Sequence, residues 1–193
     1  CMLIWGINPP ATSPAQAMRV NRARRRGAKL IVVDPRKTML AAKADCWLRV
    51  RPGTDGELAM AMIHVLLEER LFDEQFIRHW TNGSWLVRCD NNQLLTKRDL
   101  QISGSTDAYM VWDEQEDGPR AMGDNTAAAL FGSFTVNLSD GTAIECRTAL
   151  QMLANKAVAH APEQSASITT VPPSHVRRAV RLFATEKPSS YCT

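Results

Sequence analysis

The sequence predicts an α/β fold: a Rossmann-like parallel sheet flanked by helices, with a small antiparallel β insert. Three observations predict it. First, an apolar run, Leu3 to Ile7, is followed by a helical segment opened by Ser13-Pro14 and then by a second apolar run, Lys29 to Val33, that ends on Asp34. That is the outline of a βαβ nucleotide-binding unit, completed in about 30 residues as a right-handed crossover requires. Second, the runs are continuously apolar rather than alternating, as strands buried on both faces are. Third, from Ser84 the chain changes to short strand-like segments separated by turn signals such as Asp90-Asn91-Asn92 and Asp140-Gly141, the pattern of antiparallel hairpins.

Taken in order, Leu3 to Ile7 is the first strand, bounded by Gly and Pro. Asn8 to Thr12 reads as loop, since its two prolines cannot donate to a ladder. Ser13 is the expected N-cap, Pro14 suits the first helical position, and Ala17, Val20 and Ala23 form the apolar side of a helix ending at Gly27. Lys29 to Val33 is the second strand, rich in Ile and Val. Thr38 to Lys43 reads as a short helical piece and Ala44 to Val50 as a third strand ending at Arg51-Pro52-Gly53-Thr54-Asp55. From Asp55 to Arg70 a helix apolar on nearly all sides belongs inside the domain. Asp73 to Trp80 is a further helix, expected to pack through Phe76 and Ile77.

In the insert, Trp85 to Arg88 with Gln93 to Leu95 reads as a hairpin, and Tyr109 to Trp112, Ser133 to Leu138 and Thr142 to Cys146 as strands. Glu114 to Asn125, acidic and Gly-containing, reads as loop. Helical patterns return at Thr148 to Ala159 and Ser174 to Ala184, the latter introduced by Pro172-Pro173 with Ser174 as N-cap. The expected organisation is a dinucleotide-binding core over 1–83, a β-rich insert over 84–146, and C-terminal helices over 147–193 that return to the core.

At 193 residues the chain can bury a substantial core. A formal net charge of +3 is too small to argue for nucleic acid, and the run Arg22, Arg24, Arg25, Arg26 reads as the solvated end of a helix. No apolar stretch approaches the roughly 18 residues of a transmembrane helix, so no membrane contact is expected. The five cysteines, Cys1, Cys46, Cys89, Cys146 and Cys192, contain no Cys-x-x-Cys pair, which argues against a metal or iron–sulfur site in this chain and favours small buried side chains. His64 reads as a hydrogen-bonded core residue. His79, His160 and His175 have no acid or nucleophile at a suggestive spacing, and no catalytic constellation is expected. Both ends read as interrupted strands, so a longer polypeptide is expected.

Three loops, Gly6 to Thr12, Asp34 to Thr38 and Gly53 to Asp55, follow predicted strands at their carboxyl ends. In a parallel sheet those ends share one edge, where ligands bind. Gly6 permits close backbone approach to a diphosphate, Asn8 offers a donor and an acceptor, and the helix start near Ser13 favours anionic oxygen. Asp34 lies where a βαβ unit places its ribose-binding carboxylate. Asp55 can accept two parallel bonds, which suits the N1 and N2 donors of guanine. Plainer readings stand beside these: Asn8-Pro9 and Asp34-Pro35 as turns, Asp55 as a helix cap, Arg36 and Arg51 as surface charges, and Trp5 and Trp47 as core. The Gly-x-Gly-x-x-Gly fingerprint of NAD enzymes is missing.

Trp5-Gly6-Ile7-Asn8-Pro9, Arg26 through Thr38 (ending Val33-Asp34-Pro35-Arg36-Lys37-Thr38), Ala44-Asp45, Arg51-Pro52-Gly53-Thr54-Asp55, Leu71-Phe72-Asp73 and Phe76-Ile77 together resemble the catalytic subunits of molybdopterin oxidoreductases. This is the dimethyl sulfoxide reductase family, which includes formate dehydrogenases, nitrate and thiosulfate reductases and acetylene hydratase. The resemblance is dense over residues 3 to 83, returns at Val171 to Pro188 and is weak across the insert. It implies a bis(molybdopterin guanine dinucleotide) cofactor with molybdenum or tungsten. The residues implied to hold one dinucleotide are Trp5, Gly6, Asn8, Pro9, Asp34, Pro35, Arg36, Thr38, Gly53, Thr54 and Asp55, with Asp55 at guanine and Asp34 near the ribose. The family's cysteine cluster for an iron–sulfur centre and its metal-ligating residue are not in this stretch. The expectation is therefore a piece of a formate dehydrogenase-like subunit, inactive alone, whose partners are the rest of that subunit and electron-transfer subunits, in the cytoplasm or alternatively the periplasm. Two other readings stay open: an NAD- or FAD-type Rossmann module, and a segment that only packs against its parent.

Overall fold

A computed structural model describes residues 1–100, 108–123 and 126–193. The chain divides into two compact units, one of Cys1–Phe72 with Ala157–Thr193, the other of Asp73–Lys156. The second unit thus takes in the helix from Asp73 onward and most of the helix after Thr148, beyond the span 84–146.

The first unit is built on a four-stranded, all-parallel sheet of β1 (Met2–Trp5), β2 (Leu30–Val33), β3 (Cys46–Leu48) and β9 (Ser190–Cys192), in the order β3-β2-β1-β9. Alternation along the strands sends Leu3, Ile31, Val33 and Leu48 to one face and Ile4, Leu30 and Val32 to the other, and both sets are buried. The first face packs on α3 (Asp55–Glu68) through Leu58, Ala61, Met62 and Val65, and on α7 (Pro173–Thr185) through Val176, Ala179 and Val180. The second face receives Val20 of α2 (Pro14–Arg25) and Leu40 and Ala41 of a short 3₁₀ turn, Ala41–Lys43. Helices on both faces of a parallel sheet are what continuous apolar strands call for. Arg177 joins α7 to Glu68 at 2.6 Å and to Glu163 at 3.2 Å, and Arg181 meets Glu69 at 2.7 Å, so ion pairs tie α3, α7 and α6 (Pro162–Thr169) at the surface.

The second unit holds α4 (Glu74–Trp80), α5 (Ala149–Val158) for most of its length, a three-stranded antiparallel sheet and a two-stranded one. The larger sheet has the order β4 (Leu86–Arg88), β8 (Ala143–Thr148), β7 (Ser133–Asn137); the smaller pairs β5 (Met110–Asp113) with β6 (Gly118–Ala121). Leu86, Leu95, Met110, Val136, Ile144 and Cys146 form its core. Trp112 stacks on Phe134 with ring centroids 4.4 Å apart.

Several expectations are corrected. Asn8 to Thr12 is not loop throughout: Pro9–Thr12 forms the one-turn helix α1, because two prolines at its first positions supply a helical φ and give up N–H groups that would be unbonded there. Neither Ser13 nor Ser174 caps with its side chain; α2 and α7 start directly on Pro14 and Pro173. Within Glu114 to Asn125, Gly118–Ala121 is strand β6, an edge position where Pro119 loses no needed ladder bond; Asp124 and Asn125 lie outside the described residues. Helix α6 carries a proline at its first turn, but its sequence has no apolar stripe to announce it. Phe76 does not pack inward and is 55% exposed.

Candidate functional site

The carboxyl ends of β1, β2 and β3 share one edge of the sheet, and the chain turns there three times. After Trp5 it enters Gly6-Ile7-Asn8 and α1; after Val33 it enters Asp34-Pro35-Arg36; after Leu48 it runs through Val50 to Thr54 and into α3. The turns are bonded to one another. The Gly6 amide donates to the Val33 carbonyl at 3.0 Å and the Asp34 amide to the Leu48 carbonyl at 3.3 Å. Trp47 donates its indole N–H to the Asp34 carbonyl at 2.9 Å, and Trp5 donates its own to Asp55 Oδ1 at 2.7 Å. The edge is therefore one assembly drawn from three stretches of sequence.

Gly6 has φ +69 and Gly53 φ +83. These left-handed conformations favour glycine, and a Cβ at either position would meet no atom within 4 Å. Open space against bare backbone is what a bulky anionic ligand uses to approach a main chain closely. Asn8 supplies a second indication. Its side-chain Oδ1 is enclosed and has no hydrogen-bond partner, although a buried acceptor left unmade costs on the order of 1–3 kcal/mol. Such an atom fits a ligand that completes it, and its amide can turn to present either an acceptor or a donor.

Asp34 is buried. Its Oδ1 accepts from the Arg36 amide at 2.7 Å and lies 4.0 Å from the exposed Arg36 guanidinium. The carboxylate is thus held by its own turn, with an arginine at hand for a phosphate or a second acceptor. Thr38 is only half-drawn to the site: its Oγ1 accepts from the Ala41 amide at 3.1 Å, so that hydroxyl is used to start the 3₁₀ turn. Pro9 is buried beneath the first turn and Pro35 is exposed. Thr54 donates its hydroxyl to the Arg51 carbonyl at 2.8 Å and closes the turn before α3. The helix cap position is Thr54, so Asp55 stands at the first helical residue with an exposed side chain.

Two residues read as core do more than fill space. Trp5 and Trp47 are partly buried against opposite faces of the sheet, and each turns its one donor to the site edge. A contact with no sequence signal sits close by: His160 Nδ1 lies 2.8 Å from Oε2 of Glu57, in the first turn of α3, across 103 positions. The Arg51 amide donates to the Thr169 carbonyl at 2.9 Å, so the end of α6 holds the turn before Gly53. His64 is a hydrogen-bonded residue beside the core, its Nδ1 3.1 Å from the Ala157 carbonyl. Among the described residues no three His, Cys, Asp or Glu side chains are grouped to hold a metal ion, and no helix is long and apolar enough to cross a membrane.

A family model described as molybdopterin oxidoreductase matches residues 1–179. The chain belongs to that family. It is 33% identical over 220 residues to the perchlorate reductase subunit alpha of Dechloromonas aromatica (strain RCB), covering 97% of this chain and 24% of that protein. It is 45% identical over 83 residues to the F420-dependent formate dehydrogenase subunit alpha of Methanocaldococcus jannaschii, covering 43% of this chain and 12% of that protein. The chain thus spans about a quarter, or less, of the length of these relatives. Among solved structures, acetylene hydratase from Pelobacter acetylenicus superposes on 100% of this chain and 18% of its own, with a TM-score of 0.62 and 24% identity, a likeness of fold. Membership in the molybdopterin oxidoreductases implies a molybdopterin cofactor carrying molybdenum or tungsten.

Proposed function

We propose that this chain binds the guanine dinucleotide portion of a bis(molybdopterin guanine dinucleotide) cofactor, as part of the catalytic subunit of a molybdenum or tungsten oxidoreductase. The observation that carries the reading is Asp55, a carboxylate on the first residue of α3, tethered to Trp5 at the edge where three loops meet. Its oxygens can accept the paired N–H donors of guanine, each charge-assisted bond contributing roughly 1.5–3 kcal/mol. Asp34 and Arg36 are suited to the ribose and a phosphate, and the backbone at Gly6 and Gly53, with Asn8, Pro9, Pro35, Thr38 and Thr54 around it, forms the remaining cradle. When bound, the metal centre supplies two-electron redox chemistry; this chain's residues bind and orient the nucleotide end.

The reaction of the whole protein is proposed to be formate dehydrogenase-like. The support is the higher identity to the formate dehydrogenase subunit over its shorter match; the perchlorate reductase subunit, matched along nearly the whole chain, sets oxyanion reduction as the competing assay. The rest of the subunit, an iron–sulfur centre in it and electron-transfer subunits complete the proposal. Substrate turnover is expected only from the complete subunit.

A thermal-shift series with GDP, ADP and NAD tests the nucleotide assignment. Stabilisation is expected from GDP above the others, following the mass-action gain of any ligand that binds only the folded state. Asp55→Ala is expected to remove the GDP preference. Stabilisation by NAD above GDP, or a full preference for GDP in Asp55→Ala, would falsify the reading.

A further inference from the structure

We infer that Trp5 is the positioning residue that gives the Asp55 carboxylate its selectivity for guanine over adenine, an inference that rests on the guanine reading of this site. Asp55 is exposed, and an exposed aspartate at the start of a helix has several rotamers open to it. Here one is selected. Trp5 ends β1, packs against the core formed by β1, β2, β3, α3 and α7, and has a single donor, which it gives to Asp55 Oδ1 at 2.7 Å. The donor is fixed by the sheet, so the acceptor is fixed with it.

An ionised carboxylate has about four lone-pair sites on its two oxygens. The indole takes one on Oδ1. The second site on Oδ1 and those on Oδ2 remain for two parallel N–H groups, which is what the N1 and N2 donors of guanine present. Adenine offers one donor, its N6 amino group, beside the lone pair of N1. A carboxylate held in place must set one oxygen against that lone pair, and the repulsion rejects the base. A carboxylate free to rotate keeps the single N6 contact and turns the other oxygen to water. The tether therefore acts mainly as a penalty on the wrong base. Trp5 on this account is not a stacking surface for the base; its contribution passes through Asp55.

The test compares GDP and ADP affinities by calorimetry in the intact protein prepared without nucleotide. Trp5→Phe keeps an aromatic ring against the core and removes the donor. Asp55→Glu keeps the charge but moves the carboxylate one bond away from the indole. Each is expected to lower the GDP-to-ADP affinity ratio about tenfold, with the larger part of the change in a gain of ADP binding, and the double variant is expected to lose no more than either alone. A ring that served only packing would weaken both nucleotides equally and leave the ratio unchanged. A wild-type ratio near one overturns the guanine reading and this inference together. A wild-type preference that persists in Trp5→Phe, or losses that add in the double variant, overturns the tether alone. Should Trp5→Phe fail to fold, an undiminished ratio in Asp55→Glu overturns it.

Discussion

At the level of single residues, the site is distinguished by atoms whose bonding is incomplete or unusually directed. Asn8 Oδ1 is enclosed without a partner, so removing it deprives the folded chain of nothing it now bonds. Asn8→Ala is expected to leave the unfolding temperature of the free chain unchanged or raised, since an unpaired buried acceptor is removed, while reducing the stabilisation given by GDP. Thermal melts with and without GDP measure both, and equal stabilisation of wild type and variant would remove Asn8 from the site. Individual residues also mark how far sequence reading reaches. The placement of Gly6, Asp34 and Asp55 at the carboxyl edge of the sheet was legible because strand, turn and helix start follow one another locally. The indole bonds of Trp5 and Trp47 were not, since amphipathic rings at strand ends look like core until their single donor is traced. The pairing of His160 with Glu57 spans 103 positions and leaves no periodic trace.

At the level of elements, legibility followed hydrophobic pattern. Strands β1, β2 and β3 and helix α3 are continuous apolar runs, and the structure places them as expected to within a few residues. What escaped had the composition of something else: α1 is two prolines and two small residues, β6 opens on Gly-Pro, and α6 is largely polar and small. β6 forms because β5 pairs with it, α6 because α3 and α7 pack on it, and α1 because its prolines supply a helical φ. The helix under the site is the more sensitive element. Leu58 of α3 is fully buried among β-strand and α7 side chains, and Leu58→Ala is expected to destabilise the chain by about 2–5 kcal/mol. Denaturant unfolding would read this as a lower midpoint with an unchanged slope. A loss below about 1 kcal/mol would mean that α3 repacks freely, and a firm placement of Asp55 by that helix could not be upheld.

At the scale of the whole molecule, carboxylates held in their charged form make stability depend on pH. In the second unit, Asp113 is buried at the end of β5 and its carboxyl is held below the usual range by the Gln115 amide, then by the Glu116 amide and Arg120, against the effect of burial. Burial opposes ionisation of Asp99, but the Thr96 hydroxyl and amide and the Arg88 guanidinium outweigh it and lower its pKa too. A carboxylate with a depressed folded pKa contributes stability that is present above its unfolded value, near 3.9, and lost as pH falls through the folded value. Acidification below about pH 4 is therefore expected to unfold wild type more steeply than the Asp99→Asn, Asp113→Asn double variant, which has less charge to neutralise. Circular dichroism between pH 6 and 2.5 would show it; parallel acid profiles would rule out these two groups as the cause.

The strand order β3-β2-β1-β9 carries one more consequence. From β1 the chain proceeds sideways to β2 and then β3, whereas β9 is laid on the opposite flank of β1. The peptide leaving β1 reaches α2 on one face of the sheet, while α7, which delivers β9, lies on the other. At the carboxyl end of β1 the turn Gly6-Ile7-Asn8 therefore leads to one face of the sheet, while β9 beside it is fed from the helix on the other. Gly6 stands at the head of that turn, with no atom within 4 Å of where a side chain would project. The direction in which the chain leaves this edge is thus set by the itinerary of the backbone, and a glycine at its first step keeps the adjoining space clear.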